Sequence, residues 1–388
     1  MSEEPEIVIV GGGPAAYAAA AAYRNAGGTT AVRILAAELE LPYERPPLTK
    51  EYLRGESSPG DLTLAHLDWY RERRIEVECD ATVVGLDLDA GEARGADGRS
   101  WSFDRCLLAS GARPLVPELP GADGPDVRTV RTIADSEQLR ALAGSSVIVV
   151  GSGFVGCEAA ASLAMLGAEV IVATLEASPQ LERLGAEAAA RIGSWLTGLG
   201  VGLLAGANLV EISAEPGGSL ARFEDGREAR ADAIVLALGI TRNDELAAQA
   251  GVGVADGVLV DAAMVSSDPR LLACGDVAAA LNSGAGRRLR VEHWDEALNM
   301  GRVAGQTLAG REASWDVAPG FWSSVGEQAL KYVGWGDGWD EVRFALGAGE
   351  SFVARYGRDG ELVGVLAHGD DDSYERGRSE VEEHARWR

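Results

Sequence analysis

"EIVIVGGGPAAYAAAAAYRNAG", residues 6–27, passes from an apolar, β-branched run through three glycines into an alanine-rich stretch that closes on Gly27. That order predicts strand, phosphate loop and helix. Gly11 permits the tight turn, Gly13 lets backbone N–H groups approach a pyrophosphate, and Ala16 takes the third small position, where helix and strand pack closely. Pro14 and Ala15 complete the loop. A lone G-x-G-x-x-A is a weak signal, but here it follows a strand and opens a helix, as dinucleotide binding requires. A second strand, "AVRIL" (31–35), comes next. Glu38 then lies about 25 residues past the loop, where an acid is expected to hold an adenosine ribose, with Glu40 as the competing position.

The pattern recurs in "SVIVVGSGFVGCEAAASLAMLGAEVIVAT" (146–174), with Gly151, Gly153 and Gly156 on the turn and Phe154 and Val155 between them. Two dinucleotide sites in one chain imply a bound flavin and a nicotinamide hydride donor. "CLLASGARP" (106–114) and "AIVLALGITRN" (233–243) each read as a buried strand running into a glycine turn, the crossings between two nucleotide domains. "RLLACGDVAAA" (270–280) reads as a short strand, a Gly-Asp turn and a helix start. Asp276 can accept hydrogen bonds from sugar-alcohol hydroxyls, or serve as a plain N-cap, or both.

Bulk properties restrict the class. The 388 residues are 46% hydrophobic and 6% aromatic, as in a globular enzyme of two or three domains. Cysteines at 79, 106, 157 and 274 include no C-x-x-C pair, so neither a disulfide scaffold nor a thiolate metal site is expected. A reduced cytoplasmic setting follows. The N-terminus is acidic where an export signal needs positive charge, and no apolar run reaches the roughly 18 residues of a membrane span. Sixty acidic against 35 basic residues give a net charge of −25, which disfavours nucleic acid and anionic membranes as partners.

"LPYERPPLTK" (41–50) sets Pro42, Pro46 and Pro47 around Arg45 and Lys50, a segment stiffened to position something. With both glycine loops, "ACGDVA" and this segment, the chain resembles the FAD-dependent NAD(P)H ferredoxin reductases of the putidaredoxin, rubredoxin and biphenyl-dioxygenase type, which are related to apoptosis-inducing factor. The resemblance runs from about residue 6 to 370. It implies an α/β fold of two Rossmann-like dinucleotide-binding domains, as in glutathione reductase, plus a C-terminal α/β domain. Glutathione-reductase-like relatives carry redox cysteines near the proline segment. Here no cysteine precedes Cys79, which argues against disulfide or peroxide chemistry.

The resemblance also implies residue roles. Arg45 and Pro46 would lie along the FAD. Lys50 would stand at the reactive edge of the flavin, where a fixed ammonium stabilises negative charge, and Glu158 would face the nicotinamide pocket and pair with it. Those two are the candidate catalytic residues; a surface helix-start carboxylate is the alternative for Glu158. Trp294 would sit near the pyrimidine end of the ring and Trp322 would cover its outer side, though packing alone could account for both tryptophans. Val83, Ala109, Ser110, Gly111, Arg113, Gly239, Gly275, Glu292 and His293 complete the expected cofactor-binding set, His293 with no catalytic role.

The strand ending at Thr174 places a threonine where an acid usually reads the nicotinamide coenzyme's ribose, with Glu176 two residues later. No Arg or Lys occurs from 174 to 182, so Glu176 favours NADH over a 2′-phosphate. Residues 1–112 and 240–312 are expected to form the FAD domain, 113–239 the NADH domain, and 313–388 a C-terminal domain with an acidic, solvated tail. The expected reaction is hydride transfer from NADH to FAD and single-electron transfer to a ferredoxin-type iron–sulfur protein, feeding an oxygenase. An NADH oxidase or diaphorase, and a redox-gated interaction protein, are the alternatives. "GRRLR" (286–290), with Arg287, Arg288 and Arg290, is either the docking patch for an acidic ferredoxin or a solvated loop. A monomer or a homodimer is expected, with no metal.

Overall fold

The computed structural model describes residues 6–336 and 338–387. The first five residues, whose acidity argued against an export signal, therefore lie outside the described part. The chain divides into two compact units, the first formed by 1–44, 62–112 and 242–321, the second by 45–61, 113–241 and 322–388.

In the first unit the opening stretch forms strand Glu6–Val10 and helix Pro14–Asn25. The strand is central in a five-stranded sheet with Ala31–Leu35 and Ile75–Glu78 on one side and Arg105–Leu108 and Leu271–Ala273 on the other. Every pair is parallel, with Val10 opposite both Leu35 and Leu108. Parallel strands covered on both faces read as unbroken apolar runs, which is why "IVIV" and "LLA" carry no polar alternation. Helix Pro14–Asn25 packs on helix Trp294–Leu308 at backbone contact: a Cβ on Gly301 would lie 2.5 Å from the Ala15 carbonyl oxygen, and one on Gly305 2.2 Å from that of Ala19. The alanine run and these two glycines are one packing solution.

The second unit repeats the architecture around Ser146–Val150, in a five-stranded sheet ordered Gly202–Leu204, Glu169–Ala173, Ser146–Val150, Ala233–Leu236, Val127–Arg128. Its core continues into the C-terminal sheet, where Val325, Leu330, Phe352 and Leu366 join Val147, Val149, Val172 and Val235 in one cluster. Full burial of one such aliphatic side chain contributes about 1.5–3 kcal/mol.

The tail 368–388, expected as a solvated helix with a frayed end, does form a helix, but one that is folded onto this sheet. Helix Asp371–Glu382 is capped by Asp370, which accepts the Ser373 N–H at 2.9 Å, and it buries Tyr374, Gly377 and Val381. The Ala385 carbonyl accepts Leu362 N–H and the Gly360 carbonyl accepts Trp387 N–H, both at 2.8 Å. Trp387 donates its indole N–H to Glu341 at 2.8 Å beneath the Arg343 guanidinium. The acidic composition hid three inward positions at helical spacing. Arg388 lies outside the described residues. Among the described residues no helix is long and apolar enough to cross a membrane, and none of their His, Cys, Asp or Glu side chains groups as a metal site.

Candidate functional site

The two glycine loops carry the same geometry, one in each unit. Gly11 has φ +126°, and a Cβ there would sit 2.1 Å from the Ala109 carbonyl oxygen. Gly151 has φ +106° with its Cβ position 2.3 Å from the Ala237 carbonyl oxygen. Only glycine fits either turn. A Cβ on Gly13 or on Gly153, by contrast, would meet nothing within 4 Å, so space opens in front of each helix. Those helices, Pro14–Asn25 and Phe154–Met165, begin with no side-chain cap and no acid in the first turn. Uncapped N–H groups, the positive end of the helix dipole and open space fit a pyrophosphate at both places.

Around the first loop, Ala15 and Ala16 are buried, and Gly275 brings its Cβ position to 3.0 Å from the Ala15 side chain. Tyr43 donates its hydroxyl to Glu38 at 2.6 Å, fixing that carboxylate, whereas Glu40 contributes its backbone carbonyl to the Cys79 thiol. Asp276 is half-buried on the turn Gly275–Val277. Its carbonyl accepts from Arg242, which also pairs with Glu292 at 2.6 Å and is 5% exposed. Ser110 and Asn243 bond reciprocally: the Ser110 hydroxyl donates to the Asn243 carbonyl at 2.9 Å and the Asn243 amide to the Ser110 carbonyl at 2.8 Å, while Asn243 N–H reaches the Gly111 carbonyl. Arg242 and Asn243 were not anticipated as site residues. Their signal was the polar pair closing the apolar run "AIVLALGITRN". His293 precedes helix Trp294–Leu308 with its ring 4.8 Å from that of Phe321, Trp294 starts the helix, and Val83 starts strand Val83–Asp87.

Around the second loop, Thr174 is 4% exposed and turns its hydroxyl to Ser152 at 2.7 Å. It is not presented to a ligand. Glu176 stands past it, receiving the Glu182 N–H at 2.9 Å. The window from 174 to 182 stops one residue short of Arg183, whose guanidinium lies 5.6 Å over the Phe154 ring. Val155 is exposed, Arg113 is exposed, and the Gly239 carbonyl accepts Leu115 N–H at 3.0 Å. Trp322 is exposed at the start of the second unit's C-terminal segment.

The proline segment belongs to the second unit by its contacts. Pro46–Thr49 is a 3-10 turn, followed by helix Glu51–Arg54. Ser136 donates to the Leu48 carbonyl and Ser162 to the Thr49 carbonyl, both at 2.7 Å, and Arg140 donates to the Leu53 carbonyl at 3.0 Å. Arg45 reaches the Arg131 carbonyl at 2.6 Å. This fastening leaves Lys50 7% exposed, 2.9 Å from the carboxylate of Glu158, itself 5% exposed. The pair that was expected from resemblance is thus formed, and it is buried. An ion pair out of water survives only when its remaining lone pairs are bonded. Glu158 meets that condition through hydroxyls of Thr49 at 2.5 Å and Ser323 at 2.8 Å.

The cysteines offer no redox pair. All four are free thiols; burial pushes Cys106 up to about 12 and also raises Cys157 and Cys274, while burial and then the Glu40 charge raise Cys79. Of the basic run, Arg288 donates inward to the Val260 and Ala279 carbonyls, and Arg290 pairs with Asp256 at 3.0 Å.

Compared with known proteins, residues 5–301 match the family of pyridine nucleotide-disulphide oxidoreductases. The anthranilate 1,2-dioxygenase system ferredoxin–NAD(+) reductase component of Burkholderia cepacia is 32% identical over 385 residues, 95% of this chain and 91% of that protein. Among solved structures, the ferredoxin reductase for the CYP199A2 system from Rhodopseudomonas palustris matches with TM-score 0.94 and 30% identity, over 98% of this chain and 95% of the other. The reductase in the covalent putidaredoxin reductase–putidaredoxin complex matches with TM-score 0.92 and 27% identity, over 98% and 93%.

Proposed function

The chain belongs to the pyridine nucleotide-disulphide oxidoreductase family, and on that premise we propose that it is a cytoplasmic NADH:ferredoxin reductase containing FAD. One observation carries the reading. Two phosphate loops of matching geometry occur in a chain whose thiols are unpaired and mostly buried, so the electrons from NADH have no protein disulfide to enter. FAD, when bound, supplies the chemistry that accepts two electrons as a hydride and releases them singly.

The chain's own residues bind, orient and stabilise. Gly11, Gly13, Pro14, Ala15 and Ala16 offer the first pyrophosphate site, Glu38 a ribose acceptor oriented by Tyr43, and Asp276 an acceptor for sugar-alcohol hydroxyls. Gly151, Gly153, Phe154, Val155 and Gly156 offer the second pyrophosphate site, and Glu176 accepts from a ribose 2′-hydroxyl. Because Thr174 is occupied by Ser152, that discrimination falls to Glu176. Lys50, held by Glu158, stabilises the negative charge gained in the reductive step, since a preorganised ammonium needs no reorganisation when the charge appears. The partner is a ferredoxin-type iron–sulfur protein that supplies an oxygenase. Arg287 and Arg290 are its docking cations, and Arg288 is the strut that supports them.

The test is steady-state NADH oxidation by the FAD-loaded protein with an acidic iron–sulfur ferredoxin, against the same mixture holding dissolved oxygen as sole acceptor. Ferredoxin is expected to raise turnover at least about tenfold. Equal rates with and without it would refute the reductase assignment.

A further inference from the structure

The geometry points to Thr49 and Ser323 as positioning residues that clamp the Glu158 carboxylate and, through it, the Lys50 ammonium. The inference rests on the role proposed above for that pair. Glu158 receives four donors, two on each oxygen. Oε2 accepts the Thr49 hydroxyl at 2.5 Å and the Lys50 ammonium at 2.9 Å; Oε1 accepts the Ser323 hydroxyl at 2.8 Å and the Ser324 N–H at 3.3 Å. The donors come from two segments far apart in sequence, 49–50 and 323–324, and Glu158 lies on a third. Thr49 is 6% exposed and Ser323 is 1% exposed, so water is a poor substitute for either hydroxyl.

A lysine ammonium is a compact charge on a flexible four-carbon stem with three rotatable donors, and one contact to a mobile acceptor does not fix it. A fixed acceptor does. The Thr49 hydroxyl, from the residue next to the lysine, holds the oxygen that the ammonium meets. Ser323 and Ser324 hold the other oxygen and prevent the carboxylate from rotating. Thr49 is itself pinned, because its carbonyl accepts the hydroxyl of Ser162 on the helix that carries Glu158. Removing either hydroxyl leaves a buried carboxylate oxygen short of a donor. The ammonium then samples other positions, and the charge is no longer preorganised where negative charge is gained. Ser323 also follows Trp322 directly, so the clamp ties the start of the C-terminal segment to the pair.

The chain has only two lysines, Lys50 and Lys331, which makes the clamp measurable without reference to turnover. Lys331 pairs at the surface with Asp371 and serves as internal reference. Reductive methylation of the FAD-loaded protein with labelled formaldehyde, read by peptide mass, is expected to modify Lys331 rapidly and Lys50 slowly. Thr49→Val, close in shape but without the hydroxyl, and Ser323→Ala are each expected to raise the Lys50 rate about tenfold, equivalent to about 1.4 kcal/mol. Thr49→Ser keeps the hydroxyl and is expected to stay near the parent. Ser323→Ala, on a separate strand, repeats the measurement should Thr49→Val fail to fold. Glu158→Gln and Lys50→Met run alongside. If Glu158→Gln exposes Lys50 while Thr49→Val and Ser323→Ala leave it protected, the clamp is overturned. If Lys50→Met leaves the rate of flavin bleaching by NADH at the parent value, the role proposed for the pair is overturned, whatever the labelling shows. Slower bleaching in Thr49→Val and Ser323→Ala, with unchanged KM for NADH and with Thr49→Ser restored, supports both.

Discussion

Glu296 provides a measurable test of how this fold treats a carboxyl that it does not pair with a cation. It is the third residue of helix Trp294–Leu308 and 0% exposed. Trp315 donates its indole N–H to Oε2 at 2.7 Å and Asn299 its amide to Oε1 at 3.1 Å. These donors pull the carboxyl down, but burial outweighs them and, with a smaller contribution from Asp295, pushes it from 4.5 up to about 7. The folded state therefore keeps this proton to higher pH than the unfolded chain does. The stabilising contribution is complete below about pH 4.5 and is lost as pH rises through about 7. The difference between those two values is about 2.5 units, worth about 3 kcal/mol at 1.36 kcal/mol per unit. Glu296→Gln preserves the shape and can still accept the Trp315 indole N–H, but it has no proton to lose. Its stability relative to the parent is expected to improve by about 2.5 kcal/mol between pH 5 and pH 8, most of the linkage integral over that window. Urea unfolding of both proteins at both pH values, with FAD saturating throughout, reads this as a double difference in which cofactor binding cancels. A constant offset between variant and parent at the two pH values would refute burial-driven protonation of Glu296.

Three further outcomes are expected. Gly11→Ala puts a Cβ 2.1 Å from the Ala109 carbonyl oxygen at φ +126°, so FAD affinity, measured by fluorescence titration of the apoprotein, should fall at least about tenfold; retained affinity would remove this loop from the FAD site. Glu176→Arg should lower the ratio of kcat/KM for NADH to that for NADPH by about tenfold, and a parent preference for NADPH would contradict the assignment of Glu176. Arg287→Glu with Arg290→Glu should raise KM for an acidic ferredoxin, more steeply at low salt, while NADH-dependent ferricyanide reduction stays at the parent rate; an unchanged KM at every ionic strength would exclude this patch as the docking face.

The parts of this fold that were legible in sequence are those whose physics is local. A parallel strand buried on both faces must be an unbroken apolar run, and a turn at φ above +100° beside a carbonyl must be glycine, so "IVIVGGG" and "IVVGSG" identify both sheets and both loops. Lys50 and Glu158 are 108 residues apart and were matched through resemblance to a family, since nothing in either local sequence specifies the other. Thr49 and Ser323 were invisible for the same reason. A hydroxyl's partner depends on which segment folds over it, and Thr49 read as one more residue of a proline-stiffened loop. Glu296 was hidden by its setting in "HWDEALNM", where an acid in the first turn reads as a solvated complement to the helix dipole. Its burial becomes visible only when Trp315 is brought against it from 19 residues away.

Thr174 shows how a correct local reading still leaves the chemistry open. The strand Glu169–Ala173 stops one residue short of the expected end at Thr174, so the threonine, where an acid is usual, is the residue after it. Sequence alone allows that hydroxyl to face a ligand or the interior. Two neighbours decide between them: the Ser152 hydroxyl, on the glycine turn, binds Thr174 at 2.7 Å, and the Gln180 amide binds the Ser152 carbonyl at 3.1 Å. The threonine thus braces the turn against the loop that follows the strand. Two residues on, the Glu176 carboxylate is oriented by the N–H of Glu182. On the reading proposed above, Glu176 would keep a negative charge near the coenzyme's ribose and repel a 2′-phosphate, while Thr174 serves as the brace. On this account, placing an acid at 174 by Thr174→Glu would bury a carboxylate beside Ser152, loosening the turn rather than strengthening the preference for NADH.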